Sequence, residues 1–563
     1  GEFNLSQLVA DIESADFLIA HNAKFELQWL VRCGLDIANV VVWDTMLGEY
    51  VIGGNRWVWQ QLSLPASVKR RLPDDPSNYK KDFISAMFKA GICSSEVPES
   101  WLLSYCARDT ILARKLFESQ RTYMLEDSQL MPVMYTRCLA TPVLADIETA
   151  GMQLDNDKVS GLIEEREREY QKSLLDLEEI TGGINTNSPK QLASFLYGGE
   201  GAEELPVPPL KFAELRKRGE PLRTPSGLRK TDAGTLLKLK ATTKTQKKFL
   251  EIHKRTKELH NELSKYLRKF EQCGKEVGGR LLAQFNQSNT RTHRLSSSGL
   301  DYSTQFQNFP RAYKPIFRAR HDGWLVGEAD GSQLEFRAAA HLGRDGVALE
   351  AILSGVDVHR ESANFLGVSR QDAKAETFKP LYGGRTGTPE QVRYYEYFRK
   401  TYYGIADTQQ RWIDTVLNTG ALRTEWGLKY YWPNTRMERS GYVVNSTSIC
   451  NYPVQGFATA EIIPIGLVYF WHYVRAAGLS MMLVNTIHDS IIAELPPEER
   501  EHFHVLAQIA LIDEVYAYLE GVYQISLTVP LAAGVMTGRN WSDEDAKKNE
   551  TTYTATEGTF SVK

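Results

Sequence analysis

The sequence lacks the paired cysteines of a zinc ribbon or a disulfide framework. Its six cysteines are scattered through 563 residues, and no two of them form a Cys-x-x-Cys pair, a usage that suits a reducing compartment such as the cytoplasm. It also lacks an apolar run of the roughly 18 residues that a membrane span needs. The longest run, from Ile462 to Trp471, is interrupted by Pro464. We therefore expect a cytoplasmic protein that does not enter a membrane.

A starting methionine and a signal peptide are also absent, because the chain begins with Gly1, and we expect a fragment of a longer protein. At 563 residues the chain is too long for one hydrophobic core, and two to four domains are expected. The hydrophobic share of 42% and the charged share of 24% are typical of globular proteins. They exclude a largely disordered chain.

The net charge of −4 is unevenly distributed. Residues 211–280 contain 20 Lys and Arg against 8 Asp and Glu, a net charge of +12, so the remainder carries −16. A basic segment on an acidic protein is the kind of surface that meets a phosphate backbone. A solvated helical face laced with salt bridges has the same composition, and charge alone does not decide between the two.

Short apolar strands at 17–20 and 40–43, with a helical pattern between them, predict an α/β domain over the first 125 residues. The pattern then changes to long, charged helices, most clearly at 164–179 and 245–271. Beyond these helices, strands and helices mix again, and the chain ends in a polar, Thr-rich tail that we expect to be disordered.

Two aspartates follow apolar strands. The strand that begins at Trp324 leads to Asp330, and a predicted hairpin of two strands places His488 and Asp489 in its turn. Taken alone, each aspartate is more simply a turn residue than a metal ligand.

Four side chains at a spacing of four residues form one helical face: Arg370, Lys374, Phe378 and Tyr382. Four residues advance a helix by about 400°, so each side chain is displaced by only about 40° from the last. A structural face would be apolar, whereas this face has two cations followed by two aromatics. The phosphates of a nucleoside triphosphate need Arg and Lys, and its base needs a stacking surface. The segment therefore predicts a nucleotide-binding helix.

These three segments, in this order, resemble motifs A, B and C of the family A (polymerase I-like) DNA polymerases. The segments that extend the resemblance are Thr292-His-Arg294-Leu-Ser-Ser, Gln307-Asn308-Phe-Pro-Arg311 and Asn451-x₃-Gln455-Gly456, with Trp541 near the family's C-terminal end. The resemblance implies a mixed α/β and α+β multidomain protein, a right hand of palm, fingers and thumb behind a partial RNase H-like domain. The implied domains are 1–125 (3′–5′ exonuclease-like), 126–280 (thumb, helical and basic), 281–337 (palm, motif A), 338–440 (fingers, motif B), 441–541 (palm, motif C) and 542–563 (polar tail).

The resemblance also assigns roles. It implies that Asp330 and Asp489, with the backbone carbonyl of Gly331, hold two Mg²⁺ ions about 3.5–4 Å apart that serve phosphoryl transfer. Arg370 and Lys374 would bind the phosphates, with Lys374 as proton donor to pyrophosphate. The implied catalytic residues are Asp330, Asp489, Lys374, Arg370, Tyr382 and Glu335; the nucleotide-binding ones are Phe378, Gly331, Gln333 and His488; the DNA-binding ones are Arg294, Gln307, Asn308, Asn451 and Gln455.

Glu335 distinguishes two classes of polymerase. In family A DNA polymerases a Glu here resembles the steric gate that excludes a ribose 2′-hydroxyl, whereas single-subunit RNA polymerases keep a small residue. Ser490 departs from the usual His-Asp-Glu of the DNA polymerases, which we interpret as loss of a secondary carboxylate. Pro380 removes a backbone hydrogen bond from the motif B helix, and we expect the resulting kink to turn Tyr382 relative to Phe378.

The first 125 residues resemble a DnaQ-like proofreading exonuclease in two segments only. Asn22 and Glu26 match the second exonuclease motif, with Glu in place of the usual Asp, and Tyr105 and Asp109 match the third. The first motif, an Asp-x-Glu on the opening strand, is missing. Two metal ions would then lack their shared carboxylates, and we expect a truncated or vestigial exonuclease with doubtful activity.

The predicted partners are primer–template DNA and dNTPs, with a processivity factor, a helicase or a single-strand binding protein as accessory partners. We expect a monomer, and the divergent motifs favour a bacteriophage enzyme of viral DNA replication in the host cytoplasm. The alternatives are an enzyme similar to single-subunit RNA polymerases and a non-catalytic DNA-binding relative. A stand-alone nuclease is disfavoured by the missing carboxylates.

Overall fold

The computed structural model describes residues 4–56, 61–74, 83–217, 220–299, 302–556 and 559; for Asn308, Gln371 and Ala375 it describes the backbone alone. The chain forms two compact units. The first comprises Gly1–Gln153 and Leu282–Lys563, and the second comprises Leu154–Leu281.

The helices are α1 (Leu5–Glu13), α2 (Ala23–Arg32), α3 (Thr45–Gly53), α4 (Leu64–Arg71), α5 (Phe83–Lys89), α6 (Glu99–Glu126), α7 (Leu130–Ala150), α8 (Asn156–Thr181), α9 (Pro189–Tyr197), α10 (Ala233–Leu236), α11 (Lys244–Glu262), α12 (Arg268–Glu276), α13 (Leu334–Gly343), α14 (Gly346–Leu353), α15 (Val358–Leu366), α16 (Arg370–Leu381), α17 (Pro389–Thr401), α18 (Tyr403–Thr419), α19 (Ser446–Gln455), α20 (Ile463–Ala476), α21 (Arg500–Gln508), α22 (Glu514–Tyr523) and α23 (Glu544–Lys548).

The strands are β1 (Leu18–Ala20), β2 (Val42–Asp44), β3 (Met152–Leu154), β4 (Arg216–Lys217), β5 (Glu220–Pro221), β6 (Arg280–Ala283), β7 (Phe285–Asn286), β8 (Ser296–Ser297), β9 (Ser303–Thr304), β10 (Phe317–Arg318), β11 (Leu325–Gly331), β12 (Ala421–Arg423), β13 (Lys429–Tyr431), β14 (Met482–Ile487), β15 (Ser490–Leu495), β16 (Ala532–Gly538) and β17 (Thr551–Thr554).

The N-terminal α/β prediction is confirmed by β1, α2 and β2. The two strands pair in parallel, with Leu18 opposite Val42 and Ala20 opposite Asp44. Parallel strands need a crossover connection, and α2 supplies it. Its apolar face buries Leu27, which is 1% exposed.

The largest sheet has five antiparallel strands in the order β14-β15-β11-β16-β17. The predicted hairpin of the motif C segment is confirmed, since β14 and β15 are joined by the two residues His488 and Asp489. Strand β15 is buried along its whole length, so its residues are nearly all apolar or engaged in hydrogen bonds. This sheet carries Asp330 at the end of β11, beside the hairpin.

A long helical stretch from Ser446 to Ala476 combines α19, the π-helical segment Gly456–Ile462 and α20. By length and composition it is apolar enough to cross a membrane, but 83% of its most apolar 18-residue window is buried inside the fold. Burial of that kind identifies a core helix, since a helix that is hydrophobic all round needs either lipid or protein around it.

The second unit is mainly helical. Its long helices α8 and α11 confirm the charged helices predicted at 164–179 and 245–271, although a π-helical segment at Leu263–Leu267 separates α11 from α12. Its core includes Phe195 and Phe249, both 0% exposed. The predicted boundary at residue 126 is wrong, because α7 belongs to the first unit, where its residues are largely buried.

The prediction of a disordered tail from residue 542 is also wrong for most of its length. Helix α23 begins after Asp543, whose carboxylate accepts hydrogen bonds from two backbone N–H groups of the first turn. Strand β17 then pairs with β16, with Thr551 opposite Val535. The polar composition reflects an edge strand with one face in solvent, since its residues are mostly exposed.

Candidate functional site

The two predicted metal-binding aspartates lie side by side, although they come from distant parts of the chain. In the antiparallel register Asp330 stands opposite Ser490, the residue after Asp489. The backbone N–H of Gly331 donates to the carbonyl oxygen of Asp489 at 3.0 Å. The two carboxyl groups are close enough to hydrogen-bond to each other.

The electrostatics of this pair favour a cation. The surrounding protein removes hydration from Asp330, and the adjacent Asp489 carboxylate adds repulsion, so the pKa of Asp330 is raised well above its usual range. Oxygen donors of this kind suit hard cations such as Mg²⁺. Within the described ranges no three His, Cys, Asp or Glu side chains are grouped to hold a metal. Further ligands would therefore come from backbone oxygens, water or a bound phosphate.

A buried cluster supports the strand behind Asp330. Glu328 accepts a hydrogen bond from Trp541 Nε1 at 3.1 Å and forms an ion pair with Lys314 at 3.1 Å. The ammonium of Lys314 lies 4.3 Å from the centroid of the Trp541 ring. Trp541 is 2% exposed, so the Trp near the end of the family's sequence packs directly beneath the strand that carries Asp330.

The predicted nucleotide-binding face is formed by α16. Arg370, Lys374 and Phe378 lie in the helix, and Tyr382 is its C-cap. Pro380 lies in the last turn, and the helix ends one residue later. The rings of Phe378 and Tyr382 stack with centroids 5.7 Å apart and planes 10° apart. The expected turning of Tyr382 away from Phe378 is therefore wrong.

A side chain from a neighbouring helix caps the C-terminal end of α16, the turn in which Pro380 lies. Gln409 Nε2 donates to the carbonyl oxygens of Pro380 at 3.1 Å and Leu381 at 2.9 Å. The last carbonyls of a helix have no partner within the helix, and Gln409, which is 1% exposed, caps two of them.

Glu335, Tyr382, Arg294 and Gln455 converge in one network. The Tyr382 hydroxyl donates to Glu335 Oε2 and accepts from Gln455 Nε2 at 3.4 Å. Arg294 forms an ion pair with Glu335 at 3.6 Å. Burial raises the pKa of Glu335, and the charge of Arg294 opposes that rise. Glu335, the predicted steric gate, is thus bound by Tyr382, which was predicted to contact the nucleotide, and by Arg294, which was predicted to contact DNA.

The two cations of α16 have different surroundings. Lys374 acts electrostatically on both Glu335 and His488, so its charge reaches the gate residue and the turn that holds Asp489. Arg370 Nε is paired with Asp357 Oδ2 at 2.6 Å. An incoming anion would have to compete with Asp357 for this guanidinium.

His359 is a residue of this site that the sequence patterns did not single out. Its ring lies 5.4 Å from that of Phe378. Burial, followed by the charge of Lys374, lowers its pKa to about 4. Its Nδ1 is buried without a hydrogen-bond partner among the described residues. The sequence feature that could have indicated this position is Asp357, which precedes His359 by two residues. Asp357 is the N-cap of α15 and so places His359 in the first turn of that helix.

The predicted DNA contacts have different environments. Asn451 and Gln455 are half-buried on α19, and Asn451 Oδ1 is buried without a partner in the part of the chain that the structure describes. The side chain of Asn308 lies outside the described residues. Gln333 adopts a left-handed conformation, with φ 51°, as the N-cap of α13.

The prediction that Gln307 contacts DNA directly is wrong for this conformation. Its side chain is 7% exposed. Its Nε2 donates to the carbonyl oxygen of Thr486 at 2.9 Å, and its Oε1 accepts from the backbone N–H of His488 at 2.8 Å. Both ends of the amide are therefore engaged by the hairpin that carries Asp489.

In the N-terminal region the two exonuclease-like segments lie on different helices. Asn22 begins α2, and Tyr105 and Asp109 lie on α6. The charge of Asp109 acts on His21, which precedes Asn22, and burial raises the pKa of Glu26. A shared exonuclease site of Asn22, Glu26, Tyr105 and Asp109 stays a prediction.

Asp44, which the sequence patterns missed as a site residue, is fully engaged by the backbone. Its buried carboxylate accepts from the N–H groups of Asn22 at 2.9 Å, Ala23 at 2.8 Å and Met46 at 2.9 Å. Lys24, within the same segment, binds Glu148 and the carbonyl of Phe285. These contacts organise this segment and attach it to the rest of the first unit.

Comparison with known proteins agrees with this arrangement. At the level of fold, the chain is similar to the POL domain of Pol1 from M. smegmatis in a complex with DNA primer-template and dNTP. The TM-score is 0.73 at 21% identity, over 95% of this chain and 88% of that one.

In sequence, the chain is 26% identical to DNA polymerase I of Chloroflexus aurantiacus over 93% of its length, and 27% identical to DNA polymerase I of Aquifex aeolicus over 86%. It is 28% identical to the thermostable DNA polymerase I of Thermus filiformis over 77%. It spans about half the length of the Chloroflexus and Thermus proteins, 54% and 51%, and 82% of the Aquifex protein. The model of DNA polymerase family A matches residues 156–543, and the chain belongs to that family.

Proposed function

We propose that the chain is a DNA-directed DNA polymerase that adds dNTPs to a primer 3′ end by two-metal phosphoryl transfer. The observation that carries this proposal is the adjacency of Asp330 and Asp489 together with the surroundings of Glu335. Glu335 bonds Tyr382 at the end of α16, and the charges of both Asp489 and Lys374 act on it. A pair of carboxylates alone could be structural, and a cationic helix alone could bind any phosphate. Together they supply both halves of a nucleotidyl-transfer site.

In this reaction Asp330 and Asp489 would hold divalent ions, with Mg²⁺ as the proposed metal; the bound metal supplies Lewis-acid stabilisation of the transferring phosphate and activates the primer hydroxyl. Arg370 would exchange its bond to Asp357 for the triphosphate, because a phosphate accepts the same charge-assisted hydrogen bonds. Lys374 would protonate the departing pyrophosphate. The stacked Phe378 and Tyr382 rings would hold the base and sugar of the nucleotide.

The test is primer extension by the wild type and by Asp489→Asn, with Asp407→Asn as the matched control. Asp407 is a surface carboxylate whose side chain is 66% exposed. We expect Asp489→Asn to lose activity by about three orders of magnitude or more while its affinity for primer–template changes little. Wild type that binds DNA without extending it would support the non-catalytic alternative instead.

The hydrogen-bonded Glu335 and Tyr382 pair supports selection of dNTPs over rNTPs. Glu335 is held by Tyr382 and Arg294 at the side of the site, where a 2′-hydroxyl would meet a fixed carboxylate. Extension with rNTPs by the wild type, at rates equal to dNTPs, would favour the RNA polymerase alternative. Under our proposal only Glu335→Gly accepts rNTPs appreciably.

We propose that the exonuclease-like region proofreads weakly or not at all. This rests on Glu26 in place of the usual Asp and on the missing Asp-x-Glu of the first exonuclease motif. Incubation of the chain with labelled single-stranded DNA and Mg²⁺, beside Asp109→Ala, tests it. Rapid digestion that disappears in Asp109→Ala would contradict the proposal.

We assign the thumb to the second unit, Leu154–Leu281, and propose that its basic surface binds DNA phosphates.

We further propose a role in bacteriophage DNA replication in the host cytoplasm, as a monomer with a processivity factor, a helicase or a single-strand binding protein as accessory partners. Ser490 in place of a carboxylate supports divergence from the cellular enzymes, whereas the relatives described above are bacterial. A gene placed among bacterial chromosomal genes, rather than in a phage replication cluster, would refute the viral assignment.

A further inference from the structure

The two hydrogen bonds of Gln307 span the turn that carries Asp489. One bond reaches the carbonyl of Thr486 before the turn and the other the N–H of His488 within it. We infer that Gln307 is a positioning residue that fixes the conformation of this turn and so aims the Asp489 carboxylate at Asp330. The inference rests on the proposed polymerase function, since it concerns the geometry of the same site.

The turn needs such support because of its backbone conformation. Ile487 pairs with Ser490, so His488 and Asp489 form a two-residue hairpin loop. His488 has φ 54°, in the left-handed region that hairpin loops usually reserve for Gly or Asn. A residue with a Cβ is strained in this region. The bond from its N–H to Gln307 opposes that strain.

The chemistry of the amide matches this pair of partners. A Gln side chain offers both an acceptor and a donor, and Gln307 uses the acceptor for an N–H and the donor for a carbonyl two residues away. A carboxylate would repel the Thr486 carbonyl, and an apolar side chain would leave both backbone groups without this partner. The two bonds therefore fix the orientation of the amide as well as that of the turn.

Gln307 is itself rigidly held. Its backbone N–H donates to Ser297 Oγ at 2.9 Å. The preceding Phe306 is 0% exposed, and its ring packs 5.9 Å from Phe317 and 6.5 Å from Trp541. Because Trp541 also binds Glu328 on β11, one buried cluster supports both the strand of Asp330 and the residue that holds the turn of Asp489.

The experiment compares Gln307→Leu and Gln307→Glu with the wild type, and uses Gln305→Leu as the matched control. Gln305 lies two residues away and is exposed. The measurements are kcat and KM for dNTP in primer extension, Kd for primer–template by fluorescence anisotropy, and Mn²⁺ binding to the protein–DNA complex by electron paramagnetic resonance. Thermal unfolding shows whether each variant is folded.

We expect Gln307→Leu to lower kcat by about 10- to 100-fold and to weaken Mn²⁺ binding by about tenfold, the cost of two lost hydrogen bonds. KM for dNTP and Kd for DNA should stay within about twofold of the wild type, since neither ligand touches the buried amide. Gln307→Glu keeps the acceptor for His488 and should fall between the wild type and Gln307→Leu. Gln305→Leu should match the wild type.

A large increase in Kd for DNA, with kcat and Mn²⁺ binding unchanged, would overturn the inference and restore a direct DNA contact. If Gln307→Leu does not fold, the same measurements of kcat, Kd and Mn²⁺ binding on Gln307→Glu test the inference. If the wild type does not extend primers, the proposed function fails, but Mn²⁺ binding still reports on the turn. Unchanged Mn²⁺ binding in folded Gln307→Leu would then refute the positioning role by itself.

Discussion

Arg137 and Glu461 form a buried ion pair whose energetics can be predicted from its contacts. Their side chains are 3% and 0% exposed. Arg137 donates to Glu461 at 2.5 Å and to the carbonyl of Ala460 at 2.6 Å, and Tyr523 donates to Glu461 at 2.6 Å. Ala460 and Glu461 lie in the π-helical segment that follows Gln455, so this pair stabilises an irregular helix next to the predicted DNA contacts.

Removing one partner should cost far more than removing both. Arg137→Met leaves a buried carboxylate with one remaining donor, which costs about 3–5 kcal/mol. Burial already raises the pKa of Glu461, and only Arg137 and Tyr523 counter it. The double variant Arg137→Met/Glu461→Leu leaves no buried charge and should cost about 1 kcal/mol or less. The wild type, the two single variants and the double variant form a double-mutant cycle. Its coupling energy between Arg137 and Glu461 is therefore predicted to be several kcal/mol.

Thermal unfolding of the four proteins of this cycle tests the prediction. The first unit has roughly 435 residues, so an unfolding entropy of about 2.1 cal/mol/K per residue makes 1 kcal/mol equivalent to about 1 °C. We expect Tm to fall by about 3–5 °C in each single variant and by about 1 °C in the double variant. Single-variant losses that simply add in the double variant would refute the reasoning, because they would mean that the two charges do not depend on each other.

Three further predictions concern the site and the second unit. Because the folded-state pKa of Asp330 is raised, the stability linked to it is lost as pH rises through that pKa, so Asp330→Asn should raise Tm more at pH 8 than at pH 5. Asp357→Asn keeps the N-cap but frees Arg370, and KM for dNTP should fall by up to about fivefold in steady-state extension. Lys238→Gln with Lys240→Gln, two exposed lysines, should reduce the salt dependence of DNA binding by about 1–2 in log–log slope.

Local sequence patterns predicted the elements that carry the site. The apolar segments on either side of His488 and Asp489 predicted β14 and β15, and the spacing of four predicted the face of α16. These signals are local, since each depends only on residues within one element. The convergence of Asp330 and Asp489 was expected from the family resemblance and could not have come from periodicity, because antiparallel register between β11 and β15 is a long-range property.

The missed features all depend on contacts between residues distant in sequence. Gln307 was assigned to DNA because its neighbours match a DNA-contacting segment, yet its amide is engaged by a hairpin some 180 residues later. Pro380 was expected to turn Tyr382 relative to Phe378, but the two rings stack in parallel, and Gln409 from another helix caps the end of α16. The ordering of the tail depends on pairing between β16 and β17. A single sequence carries no direct signal for any of these partners.

Contacts of the N-terminal region attach it to distant parts of the first unit without involving the exonuclease-like residues. The Tyr50 hydroxyl donates to the carbonyl of Thr290 at 2.5 Å, in the segment that leads to Arg294. Asn55 Oδ1 accepts from the N–H of Tyr431 at 2.6 Å. A Cβ at Gly54, where φ is 59°, would lie 2.2 Å from the carbonyl oxygen of Lys429, so no other residue fits.

These residues belong to the same compact unit as the two aspartates, and their contacts do not involve any exonuclease chemistry. Loss of Glu26 or Asp109 would leave them intact, whereas loss of the whole region would leave buried surface and backbone groups of the polymerase site without partners. Substitution of Glu26 or Asp109 should therefore cost little stability, while deletion of the region should cost much. Through these contacts the region supports the rest of the first unit.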